Sequence, residues 1–157
     1  MMAGSGRWLV LLAVGLGACG GGGDAPAAGS GQPAPPPAAA GLTPFQVEHG
    51  IGPVTEVVEL PAAVDQALAD RGQAEFEVKC AACHHMGERF VGPALGDVTS
   101  RRSPAYIMNM ILNPQEMVEQ HPVGKELLAQ YMSFMPNQGI TREDARAILE
   151  YLRTQHP

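Results

Sequence analysis

Cys80-Ala81-Ala82-Cys83-His84 decides how the rest of the chain is read. Two thiols at i and i+3 on a strained helical turn can each add across one vinyl group of a haem, and the adjacent imidazole then lies where it can bind iron. The same spacing without the histidine serves a zinc site or a dithiol redox couple, and both need thiol chemistry that haem attachment uses up. Zinc also needs two further ligands. The remaining cysteine is Cys19, whose context points to acylation, so a zinc site would have to recruit histidines of no recognisable spacing. The motif therefore reads as attachment of one covalent haem c through Cys80 and Cys83, with His84 on the iron. His85, beside the ligand, reads as a surface or packing residue.

Residues 1–18 read as an export signal. Arg7 supplies the positive start, and the apolar run from Trp8 to Val14 is too short to cross a bilayer as a stable helix. Leu16-Gly17-Ala18-Cys19 closes it, and small residues before a cysteine resemble the lipobox of bacterial lipoproteins. That resemblance implies cleavage before Cys19 and acylation of its sulfur and new amino group. The alternative, an ordinary secretory signal with a stray cysteine, leaves a lone thiol in an oxidising compartment beside a reactive thiol pair. More than one acyl chain on a residue gives stable anchoring, so the expectation is a chain tethered to the membrane rather than spanning it. Residues 19–41 form the lipid-anchored linker. From Gly20 onward it is a low-complexity tract of Gly, Ala, Pro and Ser with one charge, Asp24, and no apolar face to bury. As a flexible coil it would span about 26 Å, and at most about 70 Å when stretched.

Residues 42–64 regain apolar character, but Gly50, Gly52, Pro44 and Pro53 interrupt it, which predicts an extended arm laid on the domain. His49 in this arm reads as a packing or solvent residue. The spacing of Leu68, Gly72, Phe76 and Cys80 predicts a helix over 65–80 that delivers the chain directly into the haem motif. Gly72 costs up to about 1 kcal/mol inside a helix relative to alanine, and a close crossing with the last helix would explain it. That last helix starts at the cap Thr141, carries Glu143 and Asp144 in its first turn, and presents Ala145, Ile148, Leu149 and Leu152 as an apolar stripe. Between the two, Gly92-Pro93 predicts a turn, and Ser103-Pro104 predicts the start of a helix to about Asn113. Asn113-Pro114 begins a short helix that His121-Pro122 ends, and a further helix is expected over 125–131. No strand-length alternation is present, so the class is all-α.

An iron held by His84 has a sixth position to fill or leave open. Of Met86, Met108, Met110, Met117, Met132 and Met135, those at helical spacing read as core filler. Met135 stands apart in Phe134-Met135-Pro136-Asn137, a non-helical loop from which a thioether could reach the haem face opposite the histidine. Pro136 disfavours α geometry at Met135. Met132 is expected in the core, where truncation to alanine would cost on the order of 2 to 5 kcal/mol.

From Asp65 to Arg153 the chain resembles the small monohaem class I cytochromes c of bacteria. The resemblance rests on Gly72 with Phe76, on Cys80-Ala81-Ala82-Cys83-His84, on Gly92-Pro93, on Met135-Pro136 and on the ending Ile148-Leu149-Glu150-Tyr151-Leu152. It implies a small cytochrome c fold over 65–157, with several helices wrapped around one haem. It further implies His84 as proximal ligand, Met135 as distal ligand, and a Pro93 carbonyl that accepts a hydrogen bond from the His84 ring. The arm and residues 113–131 look like additions seen in some bacterial members. The one tryptophan, Trp8, leaves with the signal, so the propionate-binding tryptophan of many relatives is missing, and Arg101, Arg102 and Tyr106 are the candidate substitutes. The lysine ring that many soluble relatives use for docking is also missing.

With Arg7 removed, 9 Lys and Arg face 16 Asp and Glu, a formal charge of −7. Nucleic acid and acidic lipid surfaces are poor partners for such a chain. The sequence thus leads to a monomeric, non-enzymatic electron carrier, tethered outside the cytoplasm on the periplasmic side or cell surface. Its partners would be redox proteins such as membrane respiratory complexes, an oxidase or a reductase, met through a basic patch of the partner or an apolar rim around the haem edge. Two rivals exist: a haem peroxidase or gas or redox sensor in which Met135 dissociates, and a haem subunit docked permanently on an oxidoreductase.

Overall fold

The computed structural model describes residues 41–155, so the predicted signal, Cys19 and the linker up to Ala40 lie outside the described residues. The described residues form helices α1 (Pro44–His49), α2 (Gln66–Lys79), α3 (Val98–Arg101), α4 (Pro104–Leu112), α5 (Pro114–Gln120), α6 (Pro122–Tyr131) and α7 (Arg142–Thr154), and no strand is found among them.

Each start follows its local chemistry. Asp65 accepts a hydrogen bond from the Leu68 amide at the head of α2, Ser103 does the same for Tyr106 in α4, and Thr141 for Asp144 in α7. Proline at the first helical position of α4, α5 and α6 supplies a preset φ where no amide donor is required. Two expectations need correction here. The arm is not extended throughout, because Thr43 and Gln46 close a reciprocal capping box and Pro44 sits at the first position, which together nucleate α1. His121-Pro122 does more than end α5: the His121 ring accepts a hydrogen bond from the Val123 amide and starts α6 three residues earlier than the periodicity indicated.

The core forms where α2 and α7 cross, with Phe76 of α2 packed among Ile148, Leu149 and Leu152 of α7 and Met108 of α4. Gly72 is the reason the helices can meet. A Cβ there would lie 1.9 Å from the Ala147 carbonyl oxygen, so any side chain would force the backbones apart. Gly124 plays the same role between α6 and α5, where an added Cβ would come 1.9 Å from the Met117 carbonyl oxygen.

The arm is bound by polar groups that its apolar content did not advertise. Asn109 of α4, fully buried, donates to the His49 and Val54 carbonyls and accepts from the Val54 amide at 2.9 Å. Gly52 is required beside it, since a Cβ would lie 2.5 Å from Asn109 Oδ1. His49 is buried and shares a 2.8 Å hydrogen bond with Ser103 Oγ. At the far end of the arm, Arg153 donates to the Pro61 and Ala62 carbonyls while it also holds the buried Glu150 carboxylate, which Arg146 pairs from the preceding turn. Burying a carboxylate without such partners is costly.

Candidate haem-binding site

Helix α2 ends in a widened last turn, and a tight turn follows it. The amides of Cys80 and Ala81 both reach the Phe76 carbonyl, at 2.8 and 3.0 Å, and those of Cys83 and His84 both reach the Cys80 carbonyl, at 3.0 and 2.9 Å. This turn places the two cysteines and His84 consecutively at the edge of the core. Both thiols are free and partly buried. Burial, with the Glu75 carboxylate and Cys83 adding to it, pushes the Cys80 thiol up to about 11. Zinc binding and dithiol exchange run through the thiolate, which such surroundings disfavour. A thioether carries no ionisable proton, so the same surroundings accept it.

His84 is aimed by the segment that follows. Its Nδ1 lies 3.0 Å from the Pro93 carbonyl oxygen, which can only accept, so Nδ1 carries the proton and the Nε2 lone pair is left for a metal. The ring is also pressed from one side: a Cβ on Gly92 would lie 2.5 Å from His84 Cε1. The loop between them is pinned to the motif by hydrogen bonds from Gly92 N to Cys83 O (2.9 Å), Leu95 N to His85 O (3.0 Å) and Gly96 N to Met86 O (2.9 Å). His85 turns away from this arrangement. Its ring stacks on Phe90 at 4.3 Å and faces Glu88.

Met135 lies in the non-helical stretch between α6 and α7 and is partly buried. Met132 does not enter the core as expected. It is the C-cap of α6, at φ 52° and ψ 26°, and its side chain is 86% exposed. The left-handed turn there swings the side chain outward, ends the helix and separates Met132 from Met135. Core positions go to Met108 and Met117 instead, the latter accepting a hydrogen bond at Sδ from the Ile51 amide.

The three propionate candidates have different settings. Arg101 pairs with Asp97 at 2.7 Å and donates to the Ala94 carbonyl, which ties it to the turn that carries Pro93. Arg102 lies over the Tyr106 ring, 5.0 Å from its centre. Tyr106 packs with Ile51 and Met117, and its buried hydroxyl has no hydrogen-bond partner among the described residues; burial raises its pKa against a smaller opposing effect of Arg102. A buried hydroxyl and a guanidinium with donors to spare are chemistry that fits a carboxylate. Asn109 and the short helix α3 were not singled out in the sequence, and Gly92 was read there as part of a turn rather than as a contact of the His84 ring. Only Asn109 carried a signal, as one amide in the apolar run from Ala105 to Leu112.

A helical shell, a thiol pair at its edge and an imidazole with one nitrogen committed to a carbonyl define a small protein built to hold c-type haem. The chain belongs to the cytochrome c family, whose model matches residues 69–156. A cytochrome c from Rhodothermus marinus is similar at 49% identity and a TM-score of 0.67, over 72% of this chain and 97% of that one. An engineered form of that protein, solved with a carbene intermediate bound, is similar at 49% identity and a TM-score of 0.65, over 72% of this chain and 97% of its own. A cytochrome c-553-like protein of Synechocystis is 36% identical over 64 residues, 32% of this chain, and the match spans 61% of that relative's length. Members of the family bind one covalent haem c, and Cys80 and Cys83 supply its attachment motif here. Cytochromes c serve haem-based electron transfer and are typically extracytoplasmic. No helix among the described residues is long and apolar enough to cross a membrane.

Proposed function

We propose that the chain is a membrane-tethered carrier of single electrons outside the cytoplasm, with His84 and Met135 as the two axial ligands. The observation that carries this reading is the His84–Pro93 hydrogen bond, which fixes the tautomer a metal ligand needs. When bound, the haem supplies a one-electron ferric/ferrous couple, and histidine with methionine favours a high potential. The protein's contribution is positional. Pro93 and Gly92 hold the imidazole, and Met135 lies on a segment freed from α6 by the left-handed turn at Met132. In the same reading Arg102 and the Tyr106 hydroxyl receive a propionate, with Arg101 bracing the adjacent turn. Cys19 carries the lipid, so Cys19→Ser should move the protein from the membrane to a soluble extracytoplasmic fraction with its spectrum unchanged.

The partners we expect are other redox proteins, such as membrane respiratory complexes, an oxidase or a reductase. The exposed apolar residues Phe90, Val91 and Phe134 suit an apolar rim better than a lysine ring. The deciding experiment is Met135→Ala. Loss of the weak far-red sulfur-to-iron band of the ferric protein, a lower potential and new carbon monoxide binding are expected. Rapid carbon monoxide binding by the wild-type ferrous protein would turn the reading toward a peroxidase or sensor.

A further inference from the structure

Residues 87–91 and the end of α6 are distant in sequence, and Arg89 joins them. Its Nη2 donates to the Gln130 carbonyl at 3.2 Å, and its guanidinium lies over the Tyr131 ring, 4.4 Å from the centre. The Gln130 carbonyl belongs to the last turn of α6, where carbonyls lack intrahelical donors and a positive charge is favoured. At its other end Arg89 is rooted in the loop that holds His84, beside Phe90, whose amide reaches the Gly92 carbonyl at 3.1 Å. Beyond α6 the chain has little else to hold it. Among the described residues, the hydrogen bond from 133–139 to another element is Asn137 Nδ2 to the Leu112 carbonyl, at 3.5 Å the limit of such a contact.

We propose that Arg89 is a positioning residue for Met135: by clamping the end of α6 to the histidine-bearing loop, it couples the two segments that carry the axial ligands. The inference rests on Met135 being the distal ligand. Arg89 is exposed, so the clamp is a modest restraint rather than a source of overall stability. It is placed where a modest restraint governs how often Met135 withdraws.

The test uses full-length ferric holoprotein. Cyanide, which must displace the distal ligand, should bind Arg89→Ala roughly two- to fivefold faster than wild type, the range that exposed ion and cation–π contacts are worth. Arg89→Lys, which keeps the charge near the ring and the helix end, should recover part of the difference. Amide exchange should quicken over 131–139 and stay unchanged over 80–86, a split that general destabilisation would not produce. Equal cyanide rates in wild type and Arg89→Ala, while Met135→Ala loses the far-red band, would overturn the clamp alone. A far-red band that persists in Met135→Ala would overturn the ligand reading and the clamp with it.

Discussion

The segment after the haem motif and the segment after α6 present opposite solutions to holding the two side chains proposed above as ligands. From Cys83 to Gly96, backbone bonds return to the motif at Cys83, His85 and Met86, and His84 is gripped by Pro93 from one atom and by Gly92 across its face. From Met132 to Ile140 the chain makes a left-handed turn, an internal bond from the Gly139 amide to Asn137 Oδ1, and the long contact of Asn137 with Leu112. His84 is built into a closed, local network. Met135 lies on a span anchored mainly at its ends, which can move with less disturbance of the core, as local stability differs across one small fold.

Gly92→Ala should break this contrast most severely. Its methyl group would have to occupy space 2.5 Å from His84 Cε1, so the ring must rotate or the loop must lift, at a cost of about 1 to 3 kcal/mol. A lower thermal midpoint together with a shifted reduction potential would register both effects. An unchanged potential would show that the ring is aimed by Pro93 alone.

Acid should weaken the α6 side next. Burial lowers the His121 pKa from its ordinary 6.5, with hydrogen bonding of the ring to the α1 backbone carbonyls opposing the shift and Arg102 adding to it. The unfolded chain then binds more protons than the folded one just below pH 6.5, so stability is complete above that value and falls as pH drops through it. Protonation also turns the Nδ1 that caps α6 from acceptor to donor against the Val123 amide. His121→Asn keeps a capping oxygen and removes the titration, so its thermal midpoint should vary less between pH 7.5 and 5 than that of wild type. Parallel curves for the two proteins would remove His121 as the cause.

The smallest effect is expected at Met132. Its positive φ favours glycine, and its exposed side chain contributes little packing. Met132→Gly should therefore change stability by no more than about 1 kcal/mol, toward greater stability, with the far-red band intact. A loss of several kcal/mol, or of the band, would mean that this thioether does more than cap a helix.

The sequence by itself determined what is local. The spacing of Cys80, Cys83 and His84 states the attachment chemistry, and capping residues at Asp65, Ser103 and Thr141 mark helices because each cap and its amide lie within three residues. The small-residue signal at Gly72 was legible because a glycine inside a helix costs stability, and a close crossing with another helix would explain it. Tertiary structure decided what depends on partners far along the chain. Asn109 is an arm anchor because residues 49 and 54 fold back over α4, and Arg89 meets Gln130 because the histidine loop and α6 end side by side. Met132 and Met135 look alike in sequence, two thioethers three residues apart. A single left-handed residue separated them, and that conformation is set by where α6 must stop so that the chain can turn toward α7, which no spacing of side chains records.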